Sequence, residues 1–308
     1  MGIWLVPLLL EQGHRVWVTS RRDRTSDIPG LSYVRLNALD EWQKLRSFIN
    51  EQHFDCIVDF MVYSRAKFAG RMGWLLHPTR QYVFVSSCRV FADTPPITED
   101  SPRLLDVSTD TAYLATKEYA LEKAREENLL LASTNRNYTI VRPHLTYSGR
   151  RFQLLTLEAH KFLNRKVFAG APVVLPLPAM DRQVSMTHGR DVALMISRLV
   201  GNEKAFRDTF NVTSHEHHSW SVVADFYRLV LRAHGHRFNL LYTADLDYYL
   251  EVNHAGKRRY QLEYGRMFNR VMDNSKVLAA TGLNRSDITP FFTAMEEALS
   301  QHLASLQG

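Results

Sequence analysis

The strongest constraint on the fold is a series of short, nearly continuous apolar runs separated by helical patterns. Residues 15–20 (RVWVTS), 31–36, 55–61 (DCIVDFM), 81–87 (QYVFVSS) and 138–142 (YTIVR) are each of strand length, and most carry apolar side chains on both faces. A strand of that kind has to be covered on both sides, which is the environment of a parallel sheet between two helix layers. Helical patterns fall between the runs at residues 3–12, ended by Gly13, at 40–51 with Asp40 as N-cap, at 64–76 and at 110–132. The pattern predicts an α/β fold, a Rossmann-like doubly wound parallel sheet. Ligands of such sheets sit beyond the carboxyl ends of the strands, so Ser20, Arg21, Asn37, Ser86 and Ser87 should border one crevice.

Past Gly149 the rhythm loosens, and a smaller mixed C-terminal lobe is expected. Residues 152–163 read as a helix, and residues 169–178 as a proline-interrupted apolar stretch that cannot be a central strand throughout. A helix at 190–200 and a strand at 209–212 would return to the sheet. Further helices are expected at 220–233, 244–252, 275–281 and 290–306. The division is therefore residues 1–148 for the sheet domain, with 184–213 returning to it, and mainly 149–308 for the second lobe.

A chain of 308 residues can bury a large core, and its 45% hydrophobic and 23% charged residues are ordinary for a globular protein. Cys56 and Cys88 each fall in or beside an apolar run, which suits reduced thiols and a cytoplasmic location. The apolar amino terminus has no basic leader and is too short to span a bilayer. A net charge of +6 admits anionic partners, but the basic residues are scattered and nucleic acid is not the expected one. The run His215-Glu216-His217-His218 offers metal-ligand types without evident convergence, so no metal is assigned.

Two Tyr-x-x-x-Lys pairs lie in residues 110–132, Tyr113 with Lys117 and Tyr119 with Lys123. Four residues on a helix bring an ammonium beside the groups that the phenol touches, one way to make a base of a weak acid. A helix turns by about 240° over six residues, so on one continuous helix only one pair can face a given cleft.

The order of these features, VWVTSR, DCIVDF, FVSSCRVF, Tyr-x-x-x-Lys, IVRP, FNVTS and a late DNSK, resembles the extended short-chain dehydrogenase/reductases, the NAD(P)-dependent epimerase/dehydratase group acting mostly on nucleotide-activated sugars. The resemblance spans nearly the whole chain. It implies that residues 1–148 bind a dinucleotide and that the second lobe binds the sugar nucleotide, with Arg150, Arg151, Arg182, Arg259 and Arg266 as candidates for its diphosphate. The family opens with a strand and a G-x-x-G-x-x-G turn. Here only Gly2 and the following helix correspond, so a strand and two glycines upstream of Met1 are expected to complete the sheet.

The resemblance makes Ser87 the residue that holds the substrate hydroxyl, a tyrosine the proton donor or acceptor, and a lysine the group that lowers the phenol pKa and binds the nicotinamide ribose. Tyr113 lies 26 residues after Ser87, Thr116 precedes Lys117, and Arg142 follows that lysine by 25 residues. For Tyr119 and Lys123 the intervals become 32 and 19, although Glu127 stands four residues after Lys123, as is frequent in the family. The expected set is Ser87, Tyr113 and Lys117, with Tyr119 and Lys123 second. The resemblance assigns the cofactor to Gly2, Ser20, Arg21, Arg22, Asn37, Lys117 and Pro143. With no acid before Asp23, the cofactor is NAD(P), leaning to NADP.

Cys88 and Arg89 stand where the family's dehydratases carry Asp-Glu, which leaves epimerisation or keto-reduction of a nucleotide sugar in glycan biosynthesis. A homodimer is compatible with this reading. The rival function is a catalytically inactive Rossmann-like protein that senses nucleotides or binds RNA.

Overall fold

The computed structural model describes residues 1–158 and 160–306. Its sheet-forming half runs α1 (Gly2–Glu11), β1 (Val16–Ser20), β2 (Leu31–Arg35), α2 (Trp42–Gln52), β3 (Cys56–Asp59), α3 (Arg65–Leu76), β4 (Gln81–Val85), α4 (Tyr119–Leu131) and β5 (Tyr138–Arg142). Later in the chain come α5 (Gly189–Leu199) and β6 (Asp208–Asn211), and β6 pairs in parallel with β5. The strands are all parallel, in the order β6-β5-β4-β3 with a separate pair β1-β2. Among the described residues, no strand pairing joins β1 to β3.

The apolar runs explain the layering. Successive side chains of a strand point to opposite faces. Val83 and Val85 of β4 meet Leu5 and Leu9 of α1 and Val192 and Ile196 of α5. Tyr82 and Phe84 meet Leu45 and Ile49 of α2 and Phe68, Leu75 and Leu76 of α3. All five residues of β4 and of β5 are buried, as a doubly covered parallel strand requires. Both cysteines are free thiols.

The second lobe has its own core, in which Tyr147, Phe152, Leu154, Trp220, Tyr227 and Phe291 are buried together. Helices Trp220–Ala233 and Phe291–Ala304 cover it, and Val173–Pro176 pairs in parallel with Leu240–Thr243 in a two-stranded sheet. No described helix is long and apolar enough to cross a membrane.

Three local expectations are corrected. Residues 152–163 are not one helix: Gln153–Leu154 and Leu157–Glu158 pair antiparallel, and a π-helix follows at His160–Val167, with residue 159 outside the described residues. Phe152, Leu154, Leu155 and Leu157 are all buried, and Leu155 turns the chain with φ at 53°. Helix α2 begins at Trp42 with Glu41 in the cap position, because the Asp40 carboxylate instead accepts the Asn37 amide at 2.7 Å.

The third correction concerns residues 110–132, which form two elements. A single turn, Thr111–Leu114, is capped by Asp110, whose Oδ1 accepts the Tyr113 N–H at 2.9 Å. The chain then leaves helical geometry until α4 begins at Tyr119, capped by the Glu118 carboxylate. Thr116 drives the break. Its hydroxyl donates to the Tyr113 carbonyl at 2.7 Å and accepts the Glu118 N–H at 3.2 Å, replacing helical bonds with local ones. Arg125 reaches back from α4 to the carbonyls of Leu114 (2.6 Å) and Thr116 (2.8 Å), satisfying acceptors that the break leaves over.

Candidate active site

A cleft of about 380 Å³ opens at the carboxyl ends of β3, β4 and β5. Phe60, Met61 and Val62 follow β3, Ser86 and Ser87 follow β4, and Pro143 and His144 follow β5 along its wall. Tyr119 and Lys123 enter from the first turns of α4, and Met1 brings the amino end of α1 to the same space. Arg151 and Arg266 line it from the second lobe.

Ser87 and Tyr119 face each other across the cleft wall, near enough for the serine hydroxyl to act on the phenol. Burial raises the phenol pKa, and the Arg89 guanidinium and the Ser87 hydroxyl pull against it. The Arg89 guanidinium carbon lies 5.5 Å from the centre of the Tyr119 ring, and Arg89 is ion-paired with Glu118. The Ser87 oxygen accepts the Arg89 N–H at 3.2 Å and so caps the turn that follows β4. Lys123 is almost fully buried. Its ammonium donates to Glu126 Oε2 at 3.0 Å and to the Met61 carbonyl at 3.3 Å, and rests 4.4 Å from the Phe84 ring centre.

The expected pair Tyr113 and Lys117 is not brought to Ser87. Tyr113 is fully buried outside the cleft, stacked on Tyr264 with ring centres 4.0 Å apart and tilted on Tyr260 at 5.1 Å. Its hydroxyl has no hydrogen-bond partner, and burial pushes its pKa well up. Lys117 is exposed in the break between the two helical pieces. The two residues therefore do not share a helix face, and the spacing argument that ranked them assumed a continuity that Thr116 and Glu118 remove.

The other expected residues divide. Pro143 lines the cleft, and its carbonyl accepts the Cys88 N–H at 3.1 Å. Gly2 opens α1, where an added Cβ would meet nothing within 4 Å, so the helix N–H groups can be approached closely. Ser20, Arg21, Arg22 and Asn37 stand at or just beyond the carboxyl ends of β1 and β2, on the same edge of the parallel strands but outside the cleft wall. Arg21 and Arg22 are exposed, and the Ser20 hydroxyl accepts the Arg22 N–H at 3.2 Å. Asn37 is engaged in the turn into α2, with Asp40 and the Leu39 N–H. Of the arginines expected near a diphosphate, Arg151 and Arg266 reach the cleft, whereas Arg259 is paired with Asp247 and Glu263. In the histidine run, Glu216 accepts the Phe291 N–H at 2.6 Å and so serves the start of the last helix.

His144, Glu126 and the inward aim of Arg89 carry no motif or spacing signal in the sequence. Glu127 was the usable signal for the second Tyr/Lys pair. Its two oxygens each take a 2.8 Å bond from Arg142, and Ser86 donates to Oε1 at 2.5 Å, which fixes α4 against the ends of β4 and β5.

No protein-family model matches the chain. It is 23% identical over 235 residues, 70% of its length, to the chloroplast stem-loop binding protein of 41 kDa b of Arabidopsis thaliana, and the match spans 57% of that relative. Among solved structures it is similar to dTDP-glucose 4,6-dehydratase of Bacillus anthracis in complex with NAD, with a TM-score of 0.72, 13% identity, and 99% and 94% of the two chains covered. It is also similar to the epimerase Mth375 of Methanothermobacter thermautotrophicus, with a TM-score of 0.71, 11% identity, and 98% and 89% covered. A short-chain dehydrogenase/reductase superfamily protein of Agrobacterium tumefaciens with bound NAD aligns with a TM-score of 0.66, 16% identity, and 99% and 96% covered.

Proposed function

We propose, from the extended short-chain dehydrogenase/reductase fold that this chain carries, that it is a nicotinamide-dependent epimerase or keto-reductase of a nucleotide-activated sugar, with Ser87, Tyr119 and Lys123 as its proton-transfer group. The observation behind this reading is the convergence of those three side chains in one cleft at the carboxyl ends of parallel strands. The dinucleotides and the dTDP-sugar in the names of the fold relatives agree with it.

In this reading the Ser87 hydroxyl orients a substrate hydroxyl or carbonyl oxygen, and Tyr119 takes its proton or gives one back. A phenol is too weak an acid for that task unless its anion is stabilised. Burial raises the Tyr119 pKa, and Arg89 over the ring and the Ser87 hydroxyl offset part of that rise. Lys123 and Pro143 would hold the nicotinamide half of the cofactor, Gly2 and the start of α1 its phosphates, and Ser20, Arg21, Arg22 and Asn37 its adenosine half. The bound nicotinamide supplies the hydride acceptor or donor. The absence of an acid between the end of β1 and Asp23 favours NADP in this assignment, whereas the Bacillus anthracis and Agrobacterium tumefaciens structures named above hold NAD.

Elimination of water needs a proton donor and an acceptor beside the reacting carbon. Cys88 is fully buried with its pKa pushed far up by burial, and the Arg89 guanidinium is a donor only, paired with Glu118. That favours epimerisation or reduction over dehydration. The test compares two phenylalanine variants with NAD or NADP and a panel of nucleotide sugars. Tyr119→Phe should lower turnover at least a hundredfold, in the range typical of a lost acid-base group. Tyr113→Phe should keep turnover within about twofold and not weaken the fold, because it removes a buried hydroxyl with no partner. The reverse order would restore the pair first expected and sink this one.

A further inference from the structure

Around the Ser87 cleft lies a concentration of cationic groups, of which the proton transfer proposed above uses only Arg89. Arg266 and Arg270 are 3% and 1% exposed, and His144 is 2% exposed. Arg266 donates its Nε to the Leu155 carbonyl at 2.9 Å, and its Nη1 has no partner. Arg270 donates to the carbonyls of Ala92 (3.1 Å) and Tyr264 (3.3 Å), and its Nε has none. Among the described residues, neither guanidinium is ion-paired with a carboxylate. The third, Arg89, is paired with Glu118 and keeps a buried Nε without a partner. Neither nitrogen of His144 has a hydrogen bond.

Nearby carboxylates are committed elsewhere. Glu158, also on the cleft wall, lies 3.4 Å from Arg258, and Asp93 accepts the Asn269 N–H at 2.9 Å. Burial and the neighbouring guanidiniums bring Arg266 down to about 9 and Arg270 to about 10, so both still carry charge at neutral pH. Burial, with the fields of Arg270, Arg266 and Arg89, holds His144 well below its usual range, so it is neutral there and can donate through one nitrogen. Two buried positive charges and the partly buried Arg89, facing one carboxylate, are costly to fold, and an anion between them removes that cost. A guanidinium with free N–H groups suits a carboxylate or phosphate oxygen above all.

We propose that the cleft recognises an anionic group carried next to the reacting carbon, a carboxylate on the sugar itself, held by Arg266, His144 and Arg89. The position follows from the residues that frame it. Arg89 is two residues beyond Ser87 and lies over the Tyr119 ring, and all three anion-binding side chains line the cleft that Ser87 and Tyr119 line. Arg270 stands behind this wall and adds its charge without touching the cleft. The substrate class that results is a nucleotide-activated uronic acid rather than a neutral hexose, and this step rests on the nucleotide-sugar reading above.

The experiment is calorimetric binding of UDP-glucuronate and UDP-glucose to the NAD(P)-saturated protein, since the two ligands differ in one carboxylate. The wild-type chain should bind the glucuronate at least about tenfold more tightly, and equal affinities overturn the proposal. In Arg266→Met the ratio should fall to within about twofold through loss of affinity for the glucuronate. If both ligands weaken equally, Arg266 serves the shared diphosphate and the proposal falls. If neither nucleotide sugar binds, the nucleotide-sugar reading fails by itself. Malonate and inorganic phosphate, titrated against chloride at matched ionic strength, then decide the subsite. A saturable rise in melting temperature with malonate that Arg266→Met abolishes supports it, and a flat response, or one to phosphate alone, overturns it. The wild-type comparisons need no variant, so a misfolded Arg266→Met does not rescue a failed prediction.

Discussion

Glu126 shows how much the lysine of the cleft depends on a residue that sequence reading passed over. Its carboxyl is fully buried; one oxygen binds the Lys123 ammonium and the other has no partner. Burial lifts its pKa to about 7, against the opposing pull of Lys123. A carboxyl whose folded pKa lies above its unfolded value keeps its proton in the native state where the unfolded chain has lost it. Its contribution to stability is therefore present at low pH and is lost as pH rises from about 4.5 to about 7. Denaturant unfolding of the wild type and Glu126→Gln between pH 4.5 and 8 checks this. The wild type should lose stability relative to the variant across that window, by about 3–4 kcal/mol at most at about 1.4 kcal/mol per unit, and parallel pH profiles would refute the assignment. Nothing in the sequence announces such a group, because a glutamate three residues after a lysine on a helix usually reads as a solvated pair.

At the level of elements, the apolar runs were readable because double burial imposes composition on a strand. Residues 81–87 and 138–142 were placed almost to the residue as β4 and β5. The break before α4 was not readable, since it depends on Arg125 reaching the Leu114 and Thr116 carbonyls and on Glu118 capping Tyr119. Counting residues back to Ser87 and on to Arg142 measures chain length and carries no direction, so it ranked the wrong pair as neighbours of the serine. Glu127 carried the directional information, because an acid four residues beyond Lys123 shares its side of the helix. It is fully buried and gathers Arg142, Ser86 and Arg103 around one carboxylate. Replacing it by alanine strands the buried Arg142 guanidinium without an anion, and the loss of such a partner costs about 3–5 kcal/mol. Glu127→Ala should lower the denaturation midpoint accordingly, whereas Ala exchanged for the exposed Glu51 on α2 should change it by less than about 0.5 kcal/mol. Equal effects would mean that the cluster does not tie α4 to the sheet.

Across the whole molecule the sheet is tied together unevenly. Strands β6, β5, β4 and β3 share one ladder, and the interior of that ladder is closed to solvent on both faces. Strands β1 and β2 pair only with each other among the described residues, and β1 is only partly buried although its sequence is as apolar as that of a central strand. Composition reports which faces are covered but not which edges are paired, so residues 15–20 could not be told from a central strand in advance. The β1-β2 pair is held mainly by packing, through Val16 in the cluster that includes α1 and through Trp17 against Phe54 at 5.5 Å. Local opening follows the weakest attachment, and exchange of backbone amides reads its free energy element by element. Hydrogen exchange followed by mass spectrometry should therefore show amides of β1 and β2 exchanging at least a hundredfold faster than those of β4 and β5. NAD(P) should slow the β1 amides more than those of β6, because Ser20, Arg21 and Arg22 lie at the end of β1 that the proposed adenosine half would contact. Uniform protection across the six strands would show that β1 and β2 open only with the rest of the sheet. Protection of β6 without β1 on adding cofactor would move the adenosine half away from Arg21 and Arg22, and the leaning to NADP would go with it.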